Sequence, residues 1–142
     1  AEYSVLIGEK LGLPEEELKS LKIGGLFHDI GKIGIPDAIL LKESKLTDDE
    51  YSEIKNHPAI GKHILSNATL FQDIIPIVYH HHEKYNGTGY PERLGGDSIP
   101  TFARIAAVAD KFAAKAKSYQ MSEEFPNFDC QYYGEDFERE SL

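Results

Sequence analysis

The chain has 142 residues, 41% of them hydrophobic and 27% charged, and a formal net charge of −9, which predicts one compact globular domain. No apolar run reaches the roughly 20 residues of a membrane-spanning helix, no cleavable signal pattern is present, and the lone Cys130 excludes an internal disulfide, so we expect a cytoplasmic protein. The chain also lacks a basic stripe, which argues against binding of long nucleic acid.

Helical periodicity dominates the N-terminal part of the chain. A first helix is predicted over residues 3–11, and because its pattern begins in mid-helix we expect a further segment upstream of Ala1. A second helix is predicted from Pro14 to the His28-Asp29 pair, with three core-facing positions: Leu18, Leu21 and Leu26. Gly24 and Gly25 each weaken a helix by roughly 1 kcal/mol relative to alanine, so they indicate close approach of a neighbouring helix.

The middle and C-terminal parts are also predicted to be helical. Residues 31–36 read as a loop, and Thr47-Asp48-Asp49-Glu50 is a capping box that starts a helix. That helix should break at His57, because Pro58 disfavours helical geometry in the residue before it and favours a new helix start. The remaining predicted elements are a helix over 58–66, a helix over 75–85, a Gly- and Pro-rich loop over 86–100 and a helix over 101–118. No strand pattern is present, so the predicted fold class is all-α.

Residues 121–142 differ from the rest of the chain. They contain seven acidic residues and one arginine, together with five aromatic residues: Phe125, Phe128, Tyr132, Tyr133 and Phe137. We therefore predict a domain over residues 1–120, with a truncated first helix, and an acidic-aromatic tail over residues 121–142. The tail either docks on the domain or a partner, or is a frayed terminus.

Six residues are of the types that bind hard-to-borderline metal ions, namely His28, Asp29, His57, His81, His82 and Asp110. Imidazoles and carboxylates without thiolates favour iron, manganese or zinc in a hydrolytic site over a structural zinc site. Two such metals held about 3.5–4 Å apart commonly cleave phosphoesters. Taken singly, the His28-Asp29 pair and His57 are better explained by structural roles.

Helical phase separates the three consecutive histidines at positions 80–82. At about 100° per residue, apolar residues from 71 to 78 form a stripe that includes His82 and has His81 at its edge. His80 projects from nearly the opposite side, so it is predicted to be solvated or to lie behind the ligands. The alternative is three surface histidines without a shared role.

Asp110 lies in a helix that is apolar on nearly all sides. It is therefore predicted to be buried, and because an unpaired buried carboxylate is costly, a metal or cationic partner is expected. A hydrogen bond to a helix terminus is the alternative.

Several motifs follow one another in order: His28-Asp29-Ile30-Gly31-Lys32-Ile33-Gly34-Ile35-Pro36-Asp37, Leu46-Thr47, His57-Pro58, Gly61, His81-His82-Glu83, Asn86-Gly87-Thr88-Gly89-Tyr90-Pro91, Ile99-Pro100, Ala103-Arg104-Ile105 and Val108-Ala109-Asp110. This ordered set, which covers about residues 1–112, resembles the HD-GYP branch of the HD phosphohydrolase superfamily.

The resemblance implies an HD-domain helical bundle that hydrolyses cyclic di-GMP in bacterial second-messenger signalling. It implies one or two iron or manganese ions bound by the six residues above, with Asp29 bridging. Lys32 matches the family's phosphate-contacting lysine, so Asp29 and Lys32 are the predicted catalytic residues. The Gly89-Tyr90-Pro91 loop is associated in the family with partner recognition and with site architecture, and we assign Tyr90 no catalytic role.

The chain departs from the family pattern in three places. The family carries a further ligand histidine a few residues upstream of Ala1, so we expect one metal to be under-coordinated and weakly held. Asn86 replaces the usual aspartate of the loop. After Asp110 the family's acidic residue and arginine-containing segment are missing, and Lys115 or Lys117 replaces the arginine only as a point charge.

Three hypotheses follow from the sequence. The first is a metal-dependent cyclic di-GMP phosphodiesterase. The second is a catalytically impaired HD-GYP module that binds a nucleotide or a diguanylate cyclase-type partner. The third is a related hydrolase that acts on another nucleotide.

Overall fold

The computed structural model describes residues 1–120, with side chains described up to residue 116; the predicted acidic-aromatic tail lies outside these residues. The described residues form seven α-helices: α1 (Glu2–Lys10), α2 (Glu15–Phe27), α3 (Asp37–Leu40), α4 (Asp48–Ile54), α5 (His57–Ser66), α6 (Ile75–His80) and α7 (Thr101–Gln120). Short 3₁₀ helices cover Ile30–Gly34, Thr69–Ile74 and Gly96–Ser98. The predicted all-α class is confirmed.

Local sequence signals set several helix ends as predicted. At the start of α4, the Thr47 hydroxyl accepts a hydrogen bond from the Glu50 amide at 3.2 Å, and the Glu50 carboxylate accepts one from the Thr47 amide at 2.7 Å. Pro58 lies in the first turn of α5, where its missing amide proton costs nothing. Gly12 ends the turn after α1 with a positive φ of 74°, which glycine adopts without strain.

Three local predictions were wrong. Residues 31–36, predicted as a loop, lie largely in the 3₁₀ helix Ile30–Gly34. The helix predicted over 75–85 ends at His80, because the Glu83 amide donates to the His80 carbonyl, three residues back, at 2.9 Å instead of to the Tyr79 carbonyl that a continuing α-helix requires. Leu26 is 66% exposed, whereas Leu21 is fully buried; the two differ in helical phase by about 140°.

α6 lies at the centre of the bundle and contacts α2, α5 and α7. Ile77 packs in one core cluster with Leu21, Ile105 and Ala106, while the adjacent Val78 packs in a second cluster with Leu65 and Ile74. A short helix buried on both sides has a fixed position, and so does the segment that follows it. None of the helices in the described part of the chain is long and apolar enough to cross a membrane.

Glycines stand where the backbone segments come closest. A Cβ on Gly24 would overlap the side chain of Ile77, and a Cβ on Gly31 would overlap the carbonyl group of His57. The predicted close approach at Gly24 is therefore confirmed, with α6 as the neighbour. These contacts bring the end of α2, the start of α5 and the end of α6 to the same region.

We expect Gly31→Ala to destabilise the fold by about 1–3 kcal/mol, because the added methyl group meets backbone that has no rotamer with which to move away. Gly34→Ala is the matched control, since the atoms nearest to its Cβ belong to the flexible side chain of Ile60. Denaturant unfolding of both variants measures the difference between their free energies of unfolding. Equal free energies of unfolding for Gly31→Ala and the unsubstituted chain would contradict the packing described here.

Candidate metal centre

The structure brings all six candidate ligands to one end of the bundle. His28 and Asp29 follow α2, His57 opens α5, and His81 and His82 follow α6. Asp110 lies in α7 and faces His28, with 3.6 Å between its Oδ1 and the Nε2 of that ring.

Four of these residues form a tight group. One potential ligand atom from each of Asp29, His57, His81 and His82 lies within 4.8 Å of the other three. The Nε2 atom of His57 is 3.3 Å from Nε2 of His81 and 3.2 Å from Oδ1 of Asp29. Ligands of one divalent ion at bond lengths near 2.1 Å lie about 3–4 Å apart, so the group has the dimensions of a metal site.

Backbone carbonyls orient three of the rings in the same way. The Nδ1 atoms of His28, His57 and His81 lie 2.8, 2.7 and 2.9 Å from the carbonyl oxygens of Gly25, Ile54 and Val78. Because a carbonyl only accepts, Nδ1 carries the proton in each ring and Nε2 of the neutral ring presents its lone pair. This is the arrangement in which metal-binding histidines are usually held.

The donor set fits a metal ion on chemical grounds. The facing Nε2 atoms of His57 and His81 are both acceptors in the neutral rings, and Oδ1 of Asp29 adds a third acceptor beside them. A single proton is shared by at most two of these atoms, whereas one divalent cation can contact all four residues of the group. The group therefore suits a cation better than it suits internal hydrogen bonding.

Burial keeps two of the imidazoles neutral. It lowers the pKa of His81 to about 3 and the pKa of His82 to about 4, with the neighbouring histidines adding to the effect. Both rings are therefore neutral near pH 7. Binding of a cation to them requires no release of a proton, which favours metal binding at neutral pH.

Asp29 connects this four-residue group to His28, which in turn faces Asp110. Its Oδ1 faces His57 and His81, at 3.2 and 4.0 Å, while its Oδ2 lies 3.4 Å from Nε2 of His28. The contact with the Asp110 carboxylate raises the pKa of His28, and the same contact lowers the pKa of Asp110. The two oxygens of Asp29 thus face two different sets of candidate metal ligands, as a bridging carboxylate would.

The side chain of Lys32 places a positive charge beside Asp29. Its Nζ lies 2.6 Å from Oδ2 of Asp29, and its side chain is 43% exposed. Burial of Asp29 acts to raise its pKa, but the contacts with His57 and Lys32 outweigh burial and hold that pKa well below its usual range. Asp29 is therefore ionised, and Lys32 stands between it and solvent.

Of two expectations about the surroundings of these side chains, one was wrong and the other is narrowed to one of its two alternatives. Asp110 was predicted to be buried, but its side chain is 46% exposed, because α7 buries only the stripe that contains Ala103, Ala106 and Ala109. His80 was predicted to be solvated or to lie behind the ligands. Its side chain is 13% exposed and lies outside the four-residue group, 3.9 Å from Glu83 and from Glu92, so the solvated alternative is excluded.

Glu83 and Tyr90 adjoin the site, although neither was predicted to be a catalytic or metal-binding residue. The Glu83 carboxylate is buried and bonded to the backbone of the loop that carries Tyr90. The Tyr90 ring stacks on His82 with 4.8 Å between ring centroids. The position of Glu83 directly after the histidine pair was the signal that could have pointed to it.

Comparison with known proteins identifies the lineage. The profile of the HD domain family matches residues 1–124. The chain is 49% identical over 111 residues to the cyclic di-GMP phosphodiesterase response regulator RpfG of Xanthomonas campestris, covering 77% of this chain and 29% of that protein. It is 44% identical over 110 residues to a cyclic di-GMP phosphodiesterase of Thermotoga maritima, covering 76% and 30%.

Relatives with a different named substrate also match. The 3′3′-cGAMP-specific phosphodiesterase 2 of Vibrio cholerae is 42% identical over 114 residues, which cover 79% of this chain and 22% of that protein. This chain thus spans less than a third of each of these three relatives.

A solved structure shares the fold. The crystal structure of the Vibrio cholerae cyclic GMP-AMP phosphodiesterase V-cGAP3 aligns with a TM-score of 0.64 at 22% identity, covering 82% of this chain and 34% of that one. At this identity the likeness concerns the fold alone, and it confirms the predicted HD-domain helical bundle. The family profile, the ordered motifs and the matching relatives lead to one conclusion: the chain belongs to the HD domain family, in its HD-GYP branch.

Proposed function

We propose that this chain is the catalytic unit of a metal-dependent phosphodiesterase that hydrolyses a cyclic dinucleotide, with cyclic di-GMP as the first candidate. The observation that carries the proposal is the convergence of Asp29, His57, His81 and His82, whose potential ligand atoms lie within 4.8 Å of one another. The names of relatives from Xanthomonas and Thermotoga support cyclic di-GMP as the substrate. Residues 1–120 are the proposed catalytic domain, and a cytoplasmic location agrees with the single cysteine.

The proposed metals are iron or manganese, which imidazole and carboxylate ligands suit. We assign one ion to His57, His81, His82 and Oδ1 of Asp29. A second ion would be held by His28, Asp110 and Asp29, so that Asp29 would be shared by the two ions. Bound metals of this kind lower the pKa of water toward about 7, which supplies hydroxide for attack on phosphorus.

The chain's own residues orient and neutralise the substrate. In this proposal Lys32 contacts a phosphoryl oxygen of the dinucleotide and offsets the negative charge that develops there. Its partial exposure and its position beside Asp29 support this contact. The Nδ1 hydrogen bonds of His28, His57 and His81 keep the rings from turning when substrate binds.

A second substrate is supported by the 42% identical relative that is named for 3′3′-cGAMP. Both cyclic dinucleotides present the same phosphodiester linkage and differ in one base.

The alternative outcome is an impaired module without hydrolytic activity. Such a module only binds nucleotide, or binds a diguanylate cyclase-type partner through the Gly89-Tyr90-Pro91 loop. Anaerobic loading with Fe(II) or Mn(II), followed by chromatographic assay of both dinucleotides, distinguishes hydrolysis of cyclic di-GMP, hydrolysis of 3′3′-cGAMP and binding without hydrolysis. Metal binding without turnover of either dinucleotide would leave only the binding module.

Two variants test the four-residue group. His82→Ala and Asp29→Ala should each lower bound manganese by at least about tenfold, since each removes a direct donor. His80→Ala is the matched control, because its ring lies outside the group, and it should leave the metal content unchanged. Elemental analysis of the dialysed proteins gives the result, and equal loss in all three variants would overturn the assignment.

The division into two ion sites predicts a difference in stoichiometry. We expect His28→Ala to remove one manganese equivalent and to spare the ion assigned to His57, His81 and His82. Titration calorimetry with Mn(II) counts the equivalents. Loss of every equivalent in His28→Ala, or of none, would contradict the division at Asp29.

Lys32→Met should lower kcat by about 10²-fold, which is typical for removal of one group that stabilises transition-state charge. The metal content should remain that of the unsubstituted chain. Lys22→Met, an exposed lysine of α2, is the matched control and should keep full activity. A Lys32→Met enzyme with unchanged kcat would exclude a role for this lysine in phosphoryl stabilisation.

A further inference from the structure

Glu83 is a buried carboxylate that the proposed chemistry does not use. Its side chain is 0% exposed, and its oxygens accept hydrogen bonds from the backbone amides of Glu92 and Leu94 at 2.7 and 3.0 Å. Hydrogen bonds to an ionised acceptor are roughly twice as strong as neutral ones. A single side chain thus holds the far end of the loop that follows the histidine pair.

The near end of the same loop is held by backbone contacts. The Tyr90 amide donates to the His82 carbonyl at 3.2 Å. A Cβ on Gly89 would overlap the backbone of residues 82–84, so the loop lies directly on that segment. With both ends held, Tyr90 has little freedom to leave its position above the site.

Tyr90 occupies that position by stacking on His82. The ring centroids are 4.8 Å apart and the planes are inclined by 24°. Within residues 1–116, no carbonyl accepts from Nδ1 of His82, in contrast to His28, His57 and His81. The ring of His82 therefore needs another constraint, and the aromatic face of Tyr90 provides one.

We propose that Glu83 and Tyr90 are positioning residues: the Glu83 carboxylate fixes the loop, and the loop holds the Tyr90 ring against His82 so that this imidazole stays aimed at the metal. The proposal rests on the proposed metal site. It gives Tyr90 a role inside the centre, whereas a docking role alone requires an exposed ring. Tyr90 is half-buried, and only the outer part of the loop is free for a partner.

Metal affinity, measured without substrate, tests the proposal. Calorimetric titration with Mn(II) should give about 10–100-fold weaker binding in Tyr90→Leu and in Glu83→Gln, the range usual for loss of a group that orients a ligand. Tyr90→Phe keeps the stacked ring and should bind like the unsubstituted chain. The matched controls are Tyr85→Leu and Glu53→Gln, whose side chains are exposed and which should also bind normally.

The double variant distinguishes a relay from general destabilisation. If Glu83 acts through Tyr90, then Glu83→Gln together with Tyr90→Leu should bind Mn(II) no more weakly than Tyr90→Leu alone. Additive losses would overturn the proposal, and so would normal binding in Tyr90→Leu. Far-UV circular dichroism checks that each variant keeps its helices.

A second measurement separates this inference from the proposed function. In the metal-free chain, the ring current of Tyr90 should shift the proton resonances of His82, and Tyr90→Leu should abolish that shift. Glu83→Gln should abolish it as well, whether or not the unsubstituted chain binds manganese. A shift retained in Glu83→Gln would refute the positioning role, while absence of manganese binding by the unsubstituted chain would refute the metal site.

Discussion

The orientation of three imidazole rings by backbone carbonyls is the constraint on which the candidate site depends. Each ring of His28, His57 and His81 donates from Nδ1 to a carbonyl three residues earlier. Turning a ring away would break a hydrogen bond with a net value of about 1 kcal/mol. The Nε2 atoms therefore remain directed at Asp29 and at neighbouring rings, an arrangement that suits a metal cation.

The bundle holds this arrangement in place through its core. Adjacent residues of α6, Ile77 and Val78, pack in two different apolar clusters, so the segment that ends in His81 and His82 is fixed from both sides. The close contact of Gly31 with the His57 carbonyl then sets Asp29 and Lys32 against the start of α5. Rigid supports of this kind allow donors from distant parts of the chain to keep the spacing that a metal ion requires.

Much of the fold could be predicted from the sequence because its signals are local. The Thr47 capping box, Pro58 and the helical period of the apolar residues each act within a few positions. The end of α6 could not be predicted, because the apolar period does not show that the Glu83 amide turns to the His80 carbonyl. The exposure of Asp110 escaped prediction for a related reason: only the packing of α1 and α6 on α7 decides which face of an apolar helix is covered. The pairing of His28 with Asp110 likewise arises from tertiary contact alone.

The most direct test of the central claim is a crystal structure of the manganese-loaded protein with anomalous scattering measured at the manganese edge. We expect a strong peak among Asp29, His57, His81 and His82, with one nitrogen or oxygen atom of each about 2.0–2.2 Å from it. A second peak is expected between the other oxygen of Asp29, His28 and Asp110. Anomalous density elsewhere, with these side chains bonded only to one another, would contradict the assignment of this cluster as a metal centre.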